Sequence, residues 1–285
     1  EGATIPFIAR YRKEKTGSLD ETKIRDISER VTYLRALVAR KEEVLRLIGD
    51  KLTPEIETNI AEATILQAVE DIYLPFRPKR RTRATIAREK GLEPLSEIIL
   101  AQKEDPLSKA EQFITEEVPT LEEALAGARD IVAEVISEDF KTREWMRRIT
   151  RRVANVEVQV VPDKQELAEA KTYQNYFEFK SLLKNVAPHQ VLAINRAEKE
   201  GFVTVKVCAD SASLIQSLKA LWLKNEAKFT GQLELALADS YLRLLAPSIE
   251  RDLRREMTEA GDRQAISVFQ ENLRHLLLLA PVRGK

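Results

Sequence analysis

Apolar residues at Ile24, Ile27, Val31, Leu34, Val38 and Leu45 recur three, four or seven residues apart, the spacing that lines one face of an α-helix. Ser18, with Glu21 three residues on, reads as a capping box for that helix, and Gly49 as its stop. Thr53-Pro54-Glu55 opens a second helix with a capping hydroxyl, a proline at the first helical position and a carboxylate near the positive helix end. The two segments predict a helical hairpin.

Leu74-Pro75-Phe76-Arg77-Pro78 breaks the helical pattern, because each proline removes a donor and pushes the preceding residue towards extended backbone. Thr82 to Lys90 and Pro94 to Gln102 then read as two short helices around Gly91-Leu92-Glu93. Ala87 gives the small residue of a close helix pair and Gly91 the turn, as in a helix-turn-helix. Glu97, where an apolar residue would hold such a pair together, and Pro94 speak for a plain structural hairpin. Thr120 with Glu123 caps a further helix, whose stripe is Ala124, Leu125, Ala128, Ile131, Val132, Val135 and Ile136.

Val156-Glu157-Val158-Gln159-Val160 alternates with period two and predicts a strand. Val191 to Asn195 and Phe202 to Val207 are β-rich and flank Ala197-Glu198-Lys199-Glu200-Gly201, which predicts a hairpin. Helical spacing returns beyond Ala209 and ends with Ile266, Phe269, Leu273, Leu276 and Leu277 on one face before Pro281. The expected class is mainly α: multi-helical, with a helix-turn-helix-like region (about 82–102) and a small inserted β-sheet or hairpin (about 156–207). The expected division is a helical N-terminal region, 1–150, and a mixed region, 151–285.

Composition agrees with a globular helical protein: 285 residues, 44% hydrophobic, 32% charged, with nine glycines and eleven prolines. Lys plus Arg and Asp plus Glu each number 46, so no global field draws the chain to a polyanion or an anionic membrane. The apolar run from Leu276 to Ala280 is far too short to span a bilayer, and the single cysteine, Cys208, cannot form an internal disulfide; both suit a reducing, cytoplasmic setting. Glu1 in place of Met, followed by Gly2-Ala3-Thr4 without a leader pattern, suggests a piece of a longer protein.

Chemistry is sparse. His189 and His275 have no ligand-like Cys, Asp or Glu spacing around them, and His275 beside Leu276 and Leu277 reads as a structural or surface histidine. No phosphate loop, nucleophile elbow or zincin helix occurs, so no catalytic residue, metal, cofactor or small-molecule substrate is expected. Acids distant in sequence can still meet in a fold, as around Mg²⁺ in a nuclease, and Asp71 is kept in view on that ground.

The most concentrated feature is Arg77-Pro78-Lys79-Arg80-Arg81-Thr82-Arg83, continued by Arg88 and Lys90. Arg77, Lys79, Arg80, Arg81, Arg83 and Arg88 are the candidate nucleic-acid contacts, through charge-assisted bonds to phosphates, with Thr82 capping the helix that presents them. A basic connector paired with the chain's own acids explains the same residues equally well. A second run, Arg143, Arg147, Arg148, Arg151 and Arg152, reads as a solvated face, with Trp145 and Met146 inward. Tyr73, Phe76, Tyr173, Tyr176, Phe177 and Phe179 could stack on bases, but a packed aromatic cluster near the small sheet is the simpler reading for Tyr173 to Phe179.

Gly2-Ala3-Thr4-Ile5-Pro6-Phe7-Ile8-Ala9-Arg10-Tyr11-Arg12-Lys13-Glu14, then Thr16-Gly17-Ser18-Leu19-Asp20, resembles the Tex family of bacterial transcription accessory proteins. So does Glu70-Asp71-Ile72-Tyr73-Leu74-Pro75-Phe76-Arg77-Pro78-Lys79-Arg80-Arg81-Thr82-Arg83-Ala84, followed by Gly91-Leu92-Glu93-Pro94-Leu95. Weaker likeness covers Tyr173 to Phe177, Leu192 to Arg196 and Ala265 to Pro281. The resemblance implies the N-terminal and central helical region of such a protein, without its RNase H-like, helix-hairpin-helix and OB-fold domains. It implies RNA or DNA binding by the full-length protein, a cytoplasmic role in transcription, and no catalytic residue in this segment. The expected function is a non-catalytic nucleic-acid-binding scaffold; the alternative is a platform docking RNA polymerase or the missing domains.

Overall fold

The computed structural model describes residues 2–78, 80–224 and 228–279, so Lys79 and Pro281 lie outside it. The chain forms two compact units, Glu1–Lys79 and Arg80–Lys285, each taken by itself below. It is mainly α, with one small antiparallel sheet.

The first unit contains α1 (Ile5–Tyr11), α2 (Lys13–Thr16), α3 (Glu21–Ile48), α4 (Pro54–Glu62) and α5 (Leu66–Tyr73). The cap of α3 differs from expectation. Gly17 and Ser18 both have positive φ, 63° and 61°, which places Ser18 in a left-handed turn, and Asp20 instead accepts from the Lys23 N–H at 2.8 Å. Thr53 caps α4, accepting from the Ile56 N–H at 3.3 Å, with Pro54 opening the helix. Within the unit α3 buries Ile24, Leu37, Val44 and Ile48, whereas Ile27, Val31, Leu34 and Val38 stay exposed. The Leu66 N–H donates to the Tyr33 hydroxyl at 3.1 Å and Lys41 Nζ to the Ala61 carbonyl at 2.7 Å, tying α3 to the chain around α4 and α5.

The second unit is built on a central helix. Its elements are α6 (Arg83–Glu89), α7 (Glu93–Ala101), α8 (Pro106–Ala110), α9 (Leu121–Glu138), α10 (Phe140–Val153), β1 (Asn155–Val160), β2 (Glu178–Leu182), α11 (Pro188–Lys199), β3 (Val203–Cys208), α12 (Ser211–Trp222), α13 (Gly231–Asp239) and α14 (Ala246–Leu277). Thr120 caps α9, accepting from the Glu123 N–H at 3.2 Å. Ala124, Leu125, Ala128, Ile131, Val132 and Ile136 are buried along α9, and α6, α7, α8, α10 and α13 pack around it. Gly127 lets the turn between α6 and α7 approach closely: a Cβ there would overlap Leu92 Cδ1 and sit 3.4 Å from Ala87 Cβ. That turn is closed by Gly91 at φ 75° and by the Leu92 N–H reaching back to the Ala87 carbonyl at 3.1 Å. Glu97 is exposed on α7, while Leu92, Leu95 and Ile99 are buried.

The sheet has the order β2-β1-β3, with Val156 opposite Ser181 and Val207, and Val158 opposite Phe179 and Val205. Val156 and Val158 are buried and Gln159 is exposed, as the alternation predicts. The expected hairpin partner Val191–Asn195 is not a strand but part of α11. Pro188 opens that helix, Gln190 Oε1 accepts from the Ala187 N–H at 2.9 Å, and Val191, Ile194 and Ala197 form its buried face. Ala197 to Gly201 therefore ends a helix: Gly201 has φ 75° and the Phe202 N–H returns to the Ala197 carbonyl at 2.9 Å. The further strand is β2, from a segment the alternation did not reveal. Tyr173 and Phe177 are buried beside the sheet, and the tilted ring pairs Tyr173–Phe202 and Tyr176–Phe179 have centroids 5.8 and 5.7 Å apart.

The solvated-face reading of α10 fails for Arg143 and Arg147, which are each 6% exposed. Arg143 Nη2 donates to Ser248 Oγ at 2.8 Å and Arg147 Nη2 to Asp252 Oδ2 at 3.1 Å, while Met146 is fully buried and Trp145 partly so. Distant partners on α14 hydrogen-bond to both guanidiniums and offset the cost of burying them, although Arg147 Nε is buried without a hydrogen bond. α13 continues through a π-helical turn, Ser240–Leu245, into α14; Pro247, which lacks an N–H, lies just beyond that wider turn. Burial along α14 stops at Gly261, and Ile266, Phe269, Leu273, Leu276 and Leu277 are exposed.

Candidate nucleic-acid interface

Within the first unit, Arg77 follows a short 3₁₀ turn, Leu74–Phe76, that the Leu-Pro-Phe sequence imposes. Its guanidinium pairs with Glu70 and lies 5.5 Å from the centre of the Tyr73 ring. Arg40 of α3 meets the same carboxylate at 2.6 Å and the same ring at 5.6 Å. Glu70 thus receives two arginines around one aromatic ring, and Arg77 is part of the internal packing of this unit. Asp71 is buried, and its carboxylate accepts from Gln67 Nε2 at 3.2 Å.

The remaining described members of the basic segment belong to the second unit. Thr82 caps α6 as expected: its Oγ1 accepts from the Thr85 N–H at 3.1 Å, and it donates to Glu134 Oε1 at 3.0 Å. Glu134 projects from α9 with a side chain only 9% exposed, and its other oxygen takes Arg88 Nη1 at 2.7 Å. One carboxylate therefore fixes both the start and the end of α6. Arg81 pairs with Glu89 at 2.8 Å on the surface. Arg80 and Arg83 are exposed, and among the described residues neither makes an ion pair.

One turn before Glu134, Asp130 pairs with Arg243 at 2.8 Å, and Arg243 also holds Asp239, to which its Nε donates at 2.9 Å. Burial raises the Asp130 carboxyl above its ordinary value, against the opposing pull of Arg243, Arg83 and Arg129. The acids of α9 thus hold Arg88 and Arg243, leaving the start of α6 as its outward cationic end. The charge pattern revealed the segment but not these pairings, because Glu134 is remote in sequence from Thr82 and Arg88.

His189 and His275 are exposed, His275 3.9 Å from Glu271. Among the described residues no three His, Cys, Asp or Glu side chains gather as metal ligands, and no helix is long and apolar enough to cross a membrane.

Residues 1–49 match the Tex-like protein N-terminal domain and residues 101–269, more than half of the chain, match the Tex central region-like family. The chain belongs to the Tex family. The basic segment lies between the two matched Tex stretches. Among relatives, the uncharacterized protein YdcI of Bacillus subtilis is 43% identical over 292 residues, covering all of this chain and 40% of the relative. The transcriptional accessory protein Tex of Neisseria gonorrhoeae is 35% identical over 300 residues, covering 99% of this chain and 38% of the relative. The human S1 RNA-binding domain-containing protein 1 is 26% identical over 299 residues, covering 99% of this chain and 30% of the relative. The chain thus spans 38–40% of the length of these two bacterial relatives.

Proposed function

We propose that this Tex segment is a non-catalytic helical scaffold that contacts nucleic acid at the start of α6, through Arg80 and Arg83. The observation that carries this reading is that Arg80, just before α6, and Arg83, on its first turn, are exposed and among the described residues form no ion pair, at the end of a helix whose orientation Glu134 fixes. Contact is to phosphates. The two-helix arrangement of α6 and α7 is helix-turn-helix-like, yet α7, Glu-Pro-Leu-Ser-Glu-Ile-Ile-Leu-Ala, carries two carboxylates and no cation, so it brings no arginine or lysine to a base edge. The relatives' names, a transcriptional accessory protein and an S1 RNA-binding domain protein, fit a cytoplasmic role in transcription, with RNA or DNA bound jointly with the rest of a longer protein.

The pairing of Arg77, Arg81 and Arg88 with Glu70, Glu89 and Glu134 favours a second reading, an interaction platform for RNA polymerase or for further domains, in which the basic segment serves internal ion pairs. Salt-series binding of labelled single-stranded RNA and duplex DNA to the wild type and to Arg80→Ala/Arg83→Ala separates the two. The scaffold-contact reading expects the variant to lose about two phosphate contacts, flattening the log–log salt slope by about 1.4 on single strands. An unchanged slope in the variant would hand first place to the platform.

A further inference from the structure

Arg143, Arg147 and Arg151 of α10 meet Ser248, Asp252 and Glu256 of α14, each pair 105 residues apart. A constant offset over two turns requires the helices to run parallel and in register. Successive residues turn by about 100° around a right-handed helix. In a parallel pair, the residue just after a contact position on one helix and the residue just before it on the other therefore swing to the same side. Here those residues are Arg148 and Arg152 on α10 and Arg251 and Arg255 on α14. The opposite side carries Met146, Thr150, Ile249, Leu253 and Met257, all buried, so the arginine side faces solvent, and all four arginines are exposed.

The register orders them Arg251, Arg148, Arg255, Arg152, alternating between the helices with a rise of about 3 Å per step. Among the described residues Arg148, Arg152 and Arg251 make no ion pair, whereas Arg255 lies 3.4 Å from Asp252 and 3.9 Å from Glu259. Glu144 and Glu259 bracket the row at its two ends. No large apolar side chain is exposed between Arg148 and Arg152 or between Arg251 and Arg255, so the row lacks the apolar centre of a protein–protein interface. A line of guanidinium forks on helices locked by buried pairs suits a chain of phosphates.

We infer that the solvent side of the α10–α14 pair is a second nucleic-acid surface, on which Arg148, Arg152, Arg251 and Arg255 receive the phosphate backbone of one strand. The surface is independent of the assignment of Arg80 and Arg83, and the test keeps them apart. Anisotropy of a fluorescein-labelled oligouridine of about 20 nucleotides is followed from about 50 to about 200 mM salt for the wild-type chain, Arg148→Ala/Arg152→Ala and Arg80→Ala/Arg83→Ala. Thermal melts confirm folding; the ion pairs between the helices are made by Arg147 and Arg151, and among the described residues neither Arg148 nor Arg152 has an ion-pair partner to strand.

Arg148→Ala/Arg152→Ala is expected to flatten the log–log salt slope by about 1.4, so that lowering the salt fourfold strengthens binding about sevenfold less than in the wild type. An unchanged slope in this variant overturns the inference, whatever Arg80→Ala/Arg83→Ala does, and a wild type that does not bind overturns it as well. Loss in this variant with no loss in Arg80→Ala/Arg83→Ala upholds it while removing the other site. A polyglutamate of matching charge that competes equally, with the same dependence on Arg148 and Arg152, overturns the assignment to nucleic acid in favour of an acidic protein.

Discussion

Replacing Glu134 with Ala removes the group that fixes α6 to α9 at both ends. The bond from Arg88 Nη1 is charge-assisted at 2.7 Å, a class that contributes about 1.5–3 kcal/mol, and the bond from the Thr82 hydroxyl at 3.0 Å adds about 0.5–1.5 kcal/mol. The Arg88 side chain is 31% exposed, so water recovers part of its loss on substitution. The expected net cost is about 2–3 kcal/mol for Glu134→Ala and about 1–2 kcal/mol for Glu134→Gln, which keeps an acceptor for Thr82. Urea unfolding followed by far-UV circular dichroism reads this directly: with a slope near ~2–3 kcal/mol/M, the Glu134→Ala midpoint falls by about 1 M. Adding Arg88→Met to Glu134→Ala should cost less than the same change in the wild type, since the nearer and more buried of its two carboxylate partners, Glu134 at 2.7 Å against Glu93 at 3.4 Å, has already gone. A midpoint shift below about 0.2 M for Glu134→Ala, or full additivity with Arg88→Met, would refute the idea that this carboxylate orients α6.

Gly127→Leu should destabilise by about 1–3 kcal/mol, because the added side chain enters the space of buried Leu92 and Ala87, and the gain in helix propensity of about 1 kcal/mol offsets only part of that; a thermal melt unchanged by the substitution contradicts the close approach. Glu234 accepts from Lys219 Nζ at 2.6 Å and from Thr230 at 3.0 Å, and these bonds, Lys219 first, hold its carboxyl below the ordinary 4.5. A lowered folded value means that its stabilising effect is complete above 4.5 and is lost as pH falls through the folded value. Glu234→Gln should therefore be less stable at neutral pH and lose less than the wild type on acidification below 4.5, read from urea midpoints across that range.

Local devices were legible in the sequence. Thr53, Thr82 and Thr120 cap helices because a hydroxyl needs only the N–H three residues ahead, and β1 showed itself by alternation. Composition misled at Val191–Asn195: its β-rich residues sit in a helix because Pro188, the Gln190 cap and the three-residue spacing of Val191, Ile194 and Ala197 act together. The strand β2 was hidden because it is an edge strand with a weak alternation, paired on one side only. Arg143 and Arg147 looked like surface residues because Ser248 and Asp252, which make their burial tolerable, are remote in sequence. The basic segment stood out by charge alone, yet which of its arginines are spent on Glu70, Glu89 and Glu134 depends on tertiary contacts.

The central claim is that the start of α6 touches nucleic acid, and photocrosslinking with peptide mapping tests it most directly. A 4-thiouridine-containing single-stranded RNA bound to the chain at low salt should crosslink within the peptides that contain Arg80 and Arg83, and the yield there should fall in Arg80→Ala/Arg83→Ala while crosslinks elsewhere persist. Efficient crosslinking that spares these peptides in the wild-type chain would contradict the claim and leave α6 as part of an interaction platform.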